Sequence, residues 1–231
     1  MGKFTSAVIL AAGNGTRYGG EVKKQFSEID GVPCLVYSVK AFDNCRLIDE
    51  ISLVGNEDEI NSALTTYNFQ KPHKIVAGGK VRQDSALLGF DAISEKATHV
   101  AIHDAARCLV TEKIIEDTVS AAYKTRAAAA AHKSEDTVKI ADKNGIIEKT
   151  EDRDKVWSVQ TPQVFSADVY RVAAYMAKKD GATVTDDCML CDRLGFEVKL
   201  VECGRNNIKL TNPDDRLLAE AIIMQRKAAE R

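Results

Sequence analysis

The densest run of residues able to do chemistry is Leu10-Ala-Ala-Gly-Asn-Gly-Thr-Arg-Tyr-Gly-Gly20, followed by Lys23-Lys24-Gln25. Glycine and alanine put no bulk between the main chain and a ligand, so successive N–H groups can close on a phosphate chain. Arg17 and Lys24 stand just downstream and supply positive charge. Two familiar glycine loops fail against this spacing. A Walker A loop ends in Gly-Lys-Ser or Gly-Lys-Thr, and neither follows here. The dinucleotide fingerprint wants glycine or alanine where Tyr18 stands, and the next helical pattern begins only near Pro33, so a long charged loop replaces the tight turn.

Other reactive side chains are weaker signals. His103 beside Asp104 resembles a general base with its orienting carboxylate, but a buried structural histidine is the preferred reading. Asp104 and Arg107, taken singly, read as a surface ion pair. Cys188-Met-Leu-Cys191 has metal-ligand spacing, yet the only nearby further ligand is Cys203, with no histidine in the region, so small buried side chains are expected. Six cysteines scattered through 231 residues look like reduced thiols rather than a disulfide framework.

The elements that must position these residues alternate. Thr5–Ala11, Glu50–Val54, Lys74–Ala77 and His99–His103 are short apolar runs, predicted as buried strands. Between them, residues 33–42, 58–67, 82–93 and 112–123 carry apolar side chains at three- and four-residue intervals, as amphipathic helices do. Alternation of this kind predicts an α/β fold, a parallel sheet with helices on both faces. Ser134–Trp157 breaks the pattern with Thr137-Val-Lys-Ile, an Asn144-Gly145 turn and Ile146-Ile-Glu-Lys, which reads as a projecting β-hairpin. It is either a solvated surface hairpin or an arm that grips a second subunit. Helices near residues 167–178, 186–194 and 214–228 and a strand at 197–201 follow, with no linker or repeat, so residues 1–231 are expected to form one domain.

Composition narrows the function classes. With 45% hydrophobic and 29% charged residues the chain is globular, and its length supports a core without disulfides or structural metals. A formal net charge of −2 speaks against a surface built for a nucleic-acid backbone, so any anionic ligand must be held locally. Apolar stretches such as Ala7–Ala12 and Ala127–Ala131 fall far short of a bilayer span, and Met1-Gly-Lys-Phe-Thr lacks the organisation of a signal peptide. A soluble, cytoplasmic protein without membrane or nucleic-acid partners is expected.

Four further stretches join the glycine loop: Gly78-Gly-Lys-Val-Arg-Gln-Asp-Ser85, Ile102-His-Asp-Ala-Ala-Arg107, Trp157-Ser-Val-Gln-Thr-Pro-Gln163 and Asn207-Ile-Lys-Leu-Thr-Asn-Pro-Asp214. Together they resemble the motif set of the 2-C-methyl-D-erythritol 4-phosphate cytidylyltransferases, from Val8 to the final helix. The resemblance implies a Rossmann-like nucleotidyltransferase domain in which a phosphate monoester attacks the α-phosphorus of CTP and pyrophosphate leaves. Two unit charges 4 Å apart repel by about 4 kcal/mol at an effective dielectric of about 20, so two phosphorylated reactants need several placed cations. The attacking phosphate, with its second pKa near ~6, is largely dianionic at neutral pH and needs no general base.

By resemblance, Arg17, Lys24 and Lys209 stabilise the phosphate charge. Lys209 alone would read as a solvated lysine. Ala11, Ala12, Gly13, Asn14, Gly15, Gly79, Ser85, Asp104 and Ala105 hold the nucleotide, and Asp104, Arg107, Thr137, Arg153, Thr161 and Thr185 hold the polyol phosphate. Mg²⁺ is implied as the cofactor, carried on the CTP phosphates without a protein cage. A homodimer is implied, its β-arm of about 134–157 completing the other subunit's site. Cys108 and Lys80 depart from the family pattern, the first replacing a proline and the second a residue often acidic. The rival readings are a ribitol 5-phosphate cytidylyltransferase, a non-catalytic nucleotide-binding subunit and an NAD-dependent oxidoreductase; the broken fingerprint disfavours the last.

Overall fold

The computed structural model describes residues 2–13, 18 and 22–229. Its frame is a seven-stranded sheet in the order β11-β7-β10-β6-β1-β4-β5. These strands are β1 (Thr5–Leu10), β4 (Glu50–Val54), β5 (His73–Val76), β6 (His99–Asp104), β7 (Ala127–Lys133), β10 (Trp157–Ser166) and β11 (Lys199–Glu202). All neighbours are parallel except β10, which runs antiparallel between β6 and β7. Among the described residues seven helices accompany it: α1 (Cys34–Asn44), α2 (Glu57–Ala63), α3 (Arg82–Asp91), α4 (Glu112–Thr125), α5 (Ala167–Lys179), α6 (Cys188–Asp192) and α7 (Asp214–Ala229).

The central strands β1, β4 and β6 are buried almost end to end because both faces of the sheet are covered there. Along β1, Ala7 and Ile9 join Leu35, Val39 and Phe42 of α1 and Ile115 and Val119 of α4 in one core. Val8 between them points into a second core with Ala86 and Phe90 of α3 and Tyr170 and Ala173 of α5. This two-residue period is the pleat of the strand. A third cluster seats α7, through Ala219, Ile222 and Ile223, on Cys34, Cys108, Leu109 and Leu210. Cys108 thus occupies apolar space under the final helix. Cys188 and Cys191 lie in the second core, where burial pushes both thiols up, Cys191 to about 12.

Several elements depart from the sequence reading. Helix α2 stops at Ala63 rather than near Tyr67, because Asp43 collects the chain beyond it: its carboxylate accepts from the Gln70 and Lys71 N–H groups and from the Tyr67 hydroxyl. A small hairpin, β2 (Glu28–Ile29) with β3 (Val32–Pro33), fills the long loop ahead of α1. The sheet also holds β7 and β10, which periodicity did not predict. The arm is the antiparallel pair β8 (Lys139–Ala141) and β9 (Ile147–Thr150), separate from the main sheet, followed by a 3₁₀ turn at Arg153–Lys155.

Candidate active site

The chain runs from β1 to β4 and β5 on one side, then crosses back to place β6 on the other side of β1. Open parallel sheets bind ligands at the carboxyl ends of the strands where the order reverses in this way. The cleft found there has a volume of about 380 Å³. It is lined by Ala12 and Gly13 after β1, by Lys24 and Gln25, by Gly79 to Arg82 with Ser85, by Asp104 and Ala106 after β6, and by Lys209. Four lysine and arginine side chains thus face a single carboxylate among the described lining residues.

Local bonding explains how each segment reaches the cleft. The buried Gln25 amide donates to the Ala11 carbonyl at 2.7 Å and the Gly13 carbonyl at 2.8 Å, fixing the start of the glycine loop. Gly78 packs against Ala12 so closely that a Cβ there would lie 2.3 Å from the Ala12 Cβ, which joins the loop after β1 to the loop ahead of α3. Ser85 Oγ, buried in α3, accepts from the Gly79 N–H at 3.0 Å and donates to the Val81 carbonyl at 3.2 Å. Lys23 turns outward to Glu59 at 2.7 Å, whereas Lys24 lines the cleft.

The C-terminal segment is threaded across the end of β6. The Leu210 N–H donates to the Ala106 carbonyl, the Asn207 side chain to the Thr161 carbonyl, and the Arg107 guanidinium to the Asn207 carbonyl, each at 2.9 Å. These bonds aim Lys209 at Asp104, with Nζ 2.6 Å from Oδ2. The other Asp104 oxygen accepts from Arg82 Nε at 2.9 Å. Burial alone would raise the Asp104 carboxyl, but Arg82, Lys209 and Arg107 hold it well below the usual carboxylate range. Its partners are therefore Arg82 and Lys209, not the Arg107 of a surface ion pair.

His103 faces away from the cleft, fully buried against Phe42, with Nδ1 2.9 Å from Thr161 Oγ1. Burial pushes its imidazole down to about 3, so it is neutral at physiological pH. The same Thr161 oxygen accepts from the Asp104 N–H at 3.1 Å, so this hydroxyl ties β10 to β6.

The structure brings together Lys24, Lys209, Ala12, Gly13, Gly79, Ser85 and Asp104. Ala11 and Ala105 are buried directly behind the cleft wall, the Ala105 carbonyl accepting from Ser38 Oγ at 3.0 Å. Arg17, Asn14 and Gly15 lie outside the described residues. Thr137, Arg153 and Thr185 do not line this cleft. Thr137 and Arg153 are on the exposed arm, Arg153 donating to the Glu135 carbonyl at 3.1 Å, and the Thr185 hydroxyl donates to Met189 Sδ at 3.0 Å. Sequence reasoning missed Gln25 and Arg82, although both sit inside quoted motifs. Their signal was a polar residue at a fixed offset from a glycine, which becomes informative only once its partners are known.

Ala12 and Gly13 at the end of the first strand and a lysine from a distant segment line one cleft at the switch point of a mainly parallel sheet, an arrangement that nucleotidyltransferases share. The comparisons specify which kind. The chain belongs to the 2-C-methyl-D-erythritol 4-phosphate cytidylyltransferase family, whose model matches residues 5–225. The 2-C-methyl-D-erythritol 4-phosphate cytidylyltransferase of Caldanaerobacter subterraneus subsp. tengcongensis is 42% identical over 94% of this chain and 98% of its own length. That of Alkaliphilus oremlandii is 39% identical over 96% of each. Among solved structures, 4-diphosphocytidyl-2C-methyl-D-erythritol synthase from Anaerococcus prevotii superposes with a TM-score of 0.86 at 30% identity, covering 96% of both chains.

Proposed function

We propose that this chain transfers the cytidylyl group of CTP to the phosphate of 2-C-methyl-D-erythritol 4-phosphate. A phosphate oxygen of the polyol attacks the α-phosphorus, the bond from that phosphorus to the α–β bridging oxygen breaks, and its electron pair leaves with pyrophosphate. No proton has to be removed from the nucleophile, in keeping with the neutral, inward-facing His103. Catalysis is then positioning and charge stabilisation. Lys24, with Arg17, serves the triphosphate, and Lys209 serves the phosphorus under attack. Backbone amides of residues 11–15 and 78–81 read the cytosine, since the Ser85 hydroxyl is engaged in shaping the Gly79 turn. Asp104 meets hydroxyl groups of ribose or polyol, and Arg107 acts by holding the segment that carries Lys209.

Mg²⁺ fits the donor set as an ion carried by the nucleotide. Asp104 is the only carboxylate among the described lining residues, and Arg82 and Lys209 already occupy its oxygens. An ion held mainly by phosphate oxygens would supply further charge neutralisation there.

The arm supports a homodimer. Its strands and turn leave Ile140, Ile146 and Ile147 at 45%, 66% and 59% exposure, and an isolated two-stranded hairpin is marginal in water. A partner subunit that covers these side chains would receive Thr137 and Arg153 next to its own cleft, on the side of the Thr185 segment. The six cysteines are all unpaired, which suits a reducing cytoplasm, and no helix among the described residues is long and apolar enough to cross a membrane.

The convergence of Lys24 and Lys209 on one cleft carries this reading. Pyrophosphate release from CTP and Mg²⁺ tests it: methylerythritol phosphate should drive release at least about tenfold faster than ribitol 5-phosphate. Equal rates, or release with ribitol 5-phosphate alone, would refute it.

A further inference from the structure

Arg82 opens α3 and spends its guanidinium on two carboxylates from different parts of the chain. Nε donates to Asp104 at 2.9 Å and Nη1 to Asp187 Oδ2 at 2.7 Å. Asp187 is 1% exposed and is the better buried of the two. Its other oxygen accepts from the Tyr170 hydroxyl at 3.0 Å, and its N–H donates to Gln163 Oε1 at 2.9 Å. Gln163 Nε2 in turn donates to Asp186 Oδ2 at 3.0 Å. A planar fork can satisfy two carboxylates at once, which a lysine ammonium on a flexible stem does far less well.

Two consequences follow from this placement. Thr185 is two residues from Asp187, so the bridge sets the distance between the segment assigned to the polyol phosphate and the Asp104 end of β6. Arg82 also takes one Asp104 oxygen while Lys209 takes the other. Without Arg82 the whole carboxylate charge would fall on Lys209 and draw its ammonium away from an incoming phosphate. We propose that Arg82 is a positioning residue for the second substrate, clamping the Thr185–Asp187 segment to Asp104 and leaving the Lys209 charge available to phosphate. This rests on the cytidylyl transfer proposed above.

Steady-state kinetics with CTP and methylerythritol phosphate separate the two ideas. Wild-type protein should turn over this pair; failure to do so sinks the transfer reaction itself. Given wild-type turnover, Arg82→Lys should raise KM for the polyol phosphate about tenfold or more and lower kcat, while KM for CTP stays within about threefold. Arg82→Met strands Asp187 as a buried unpaired carboxylate, so Arg82→Met/Asp187→Asn is the variant that keeps the fold intact. It should show the same split between the two KM values, and Asp187→Asn alone a smaller one. Equal rises in both KM values, or wild-type KM for the polyol phosphate in the double variant, would overturn the assignment.

Discussion

His103 and Asp104 are neighbours in sequence with opposite electrostatic fates. The imidazole is driven neutral by burial, and the carboxylate is kept charged by Arg82 and Lys209 despite it. The histidine leaves a thermodynamic trace. Its folded pKa of about 3 lies below the ordinary value of 6.5, so the unfolded chain binds the extra proton first as the medium is acidified. The stability it contributes is complete above pH ~6.5 and is lost progressively towards pH ~3, at up to about 1.4 kcal/mol per pH unit. His99, pushed down to about 4 mainly by burial, acts in the same direction. Urea denaturation between pH ~7 and ~5 should therefore show a falling midpoint, and His103→Asn should make that decline shallower by roughly one proton. An unchanged slope would mean that His103 is solvated in the folded protein.

At the scale of elements, the sheet depends on how closely α3 can approach it, because α3 carries Arg82 and Ser85 into the cleft. A Cβ on Gly89 would lie 2.4 Å from Val8 Cγ1 and 2.6 Å from Val54 Cγ2. Overpacking of this kind costs about 1–3 kcal/mol, so Gly89→Ala should lower Tm by roughly 2–10 °C in a scanning calorimeter. A melting point equal to wild type would contradict the close contact. Strands β1, β4, β5 and β6 and most helices were legible in the sequence, since doubly covered strands are continuous apolar runs and helices carry a stripe. Strand β7 was not, because five successive alanines favour helix by intrinsic propensity, and only its pairing with β10 and β11 makes them a strand. Strand β10 was visible as a motif but not as a strand, since Gln160-Thr-Pro-Gln163 has no alternation and its ladder shifts register there. That Ala12, Gly13, Lys24, Asp104 and Lys209 share one cleft could be read from motifs. The Arg82 bridge could not, since its carboxylates lie 22 and 105 residues away.

At the scale of the whole molecule, the arm and the cleft are separate on one chain, and an assignment of Arg153 to the partner's site has a stoichiometric signature. Arg153→Ala and Lys24→Ala should each be nearly inactive in polyol cytidylylation. Co-refolded in equal amounts they should recover roughly a quarter of wild-type activity, because half of the dimers are mixed and each mixed dimer has one complete site. No recovery on mixing would place Arg153 in its own subunit's site or outside catalysis.

The cleft also has an order of arrival. The start of its glycine loop follows the first strand, but the lysine opposite it is carried by residues 207–211, beyond the last strand of the sheet, and is pinned by Ala106 and Asn207 only once β6 and β10 are in place. A chain that stops short of that segment would present the Ala12–Gly13 side of the cleft with Lys24 but without the cation opposite it. Under the proposed reaction, a chain cut before Lys209 is expected to keep the Asp104 carboxylate with Arg82 as its remaining cation and to lose the charge aimed at the phosphorus.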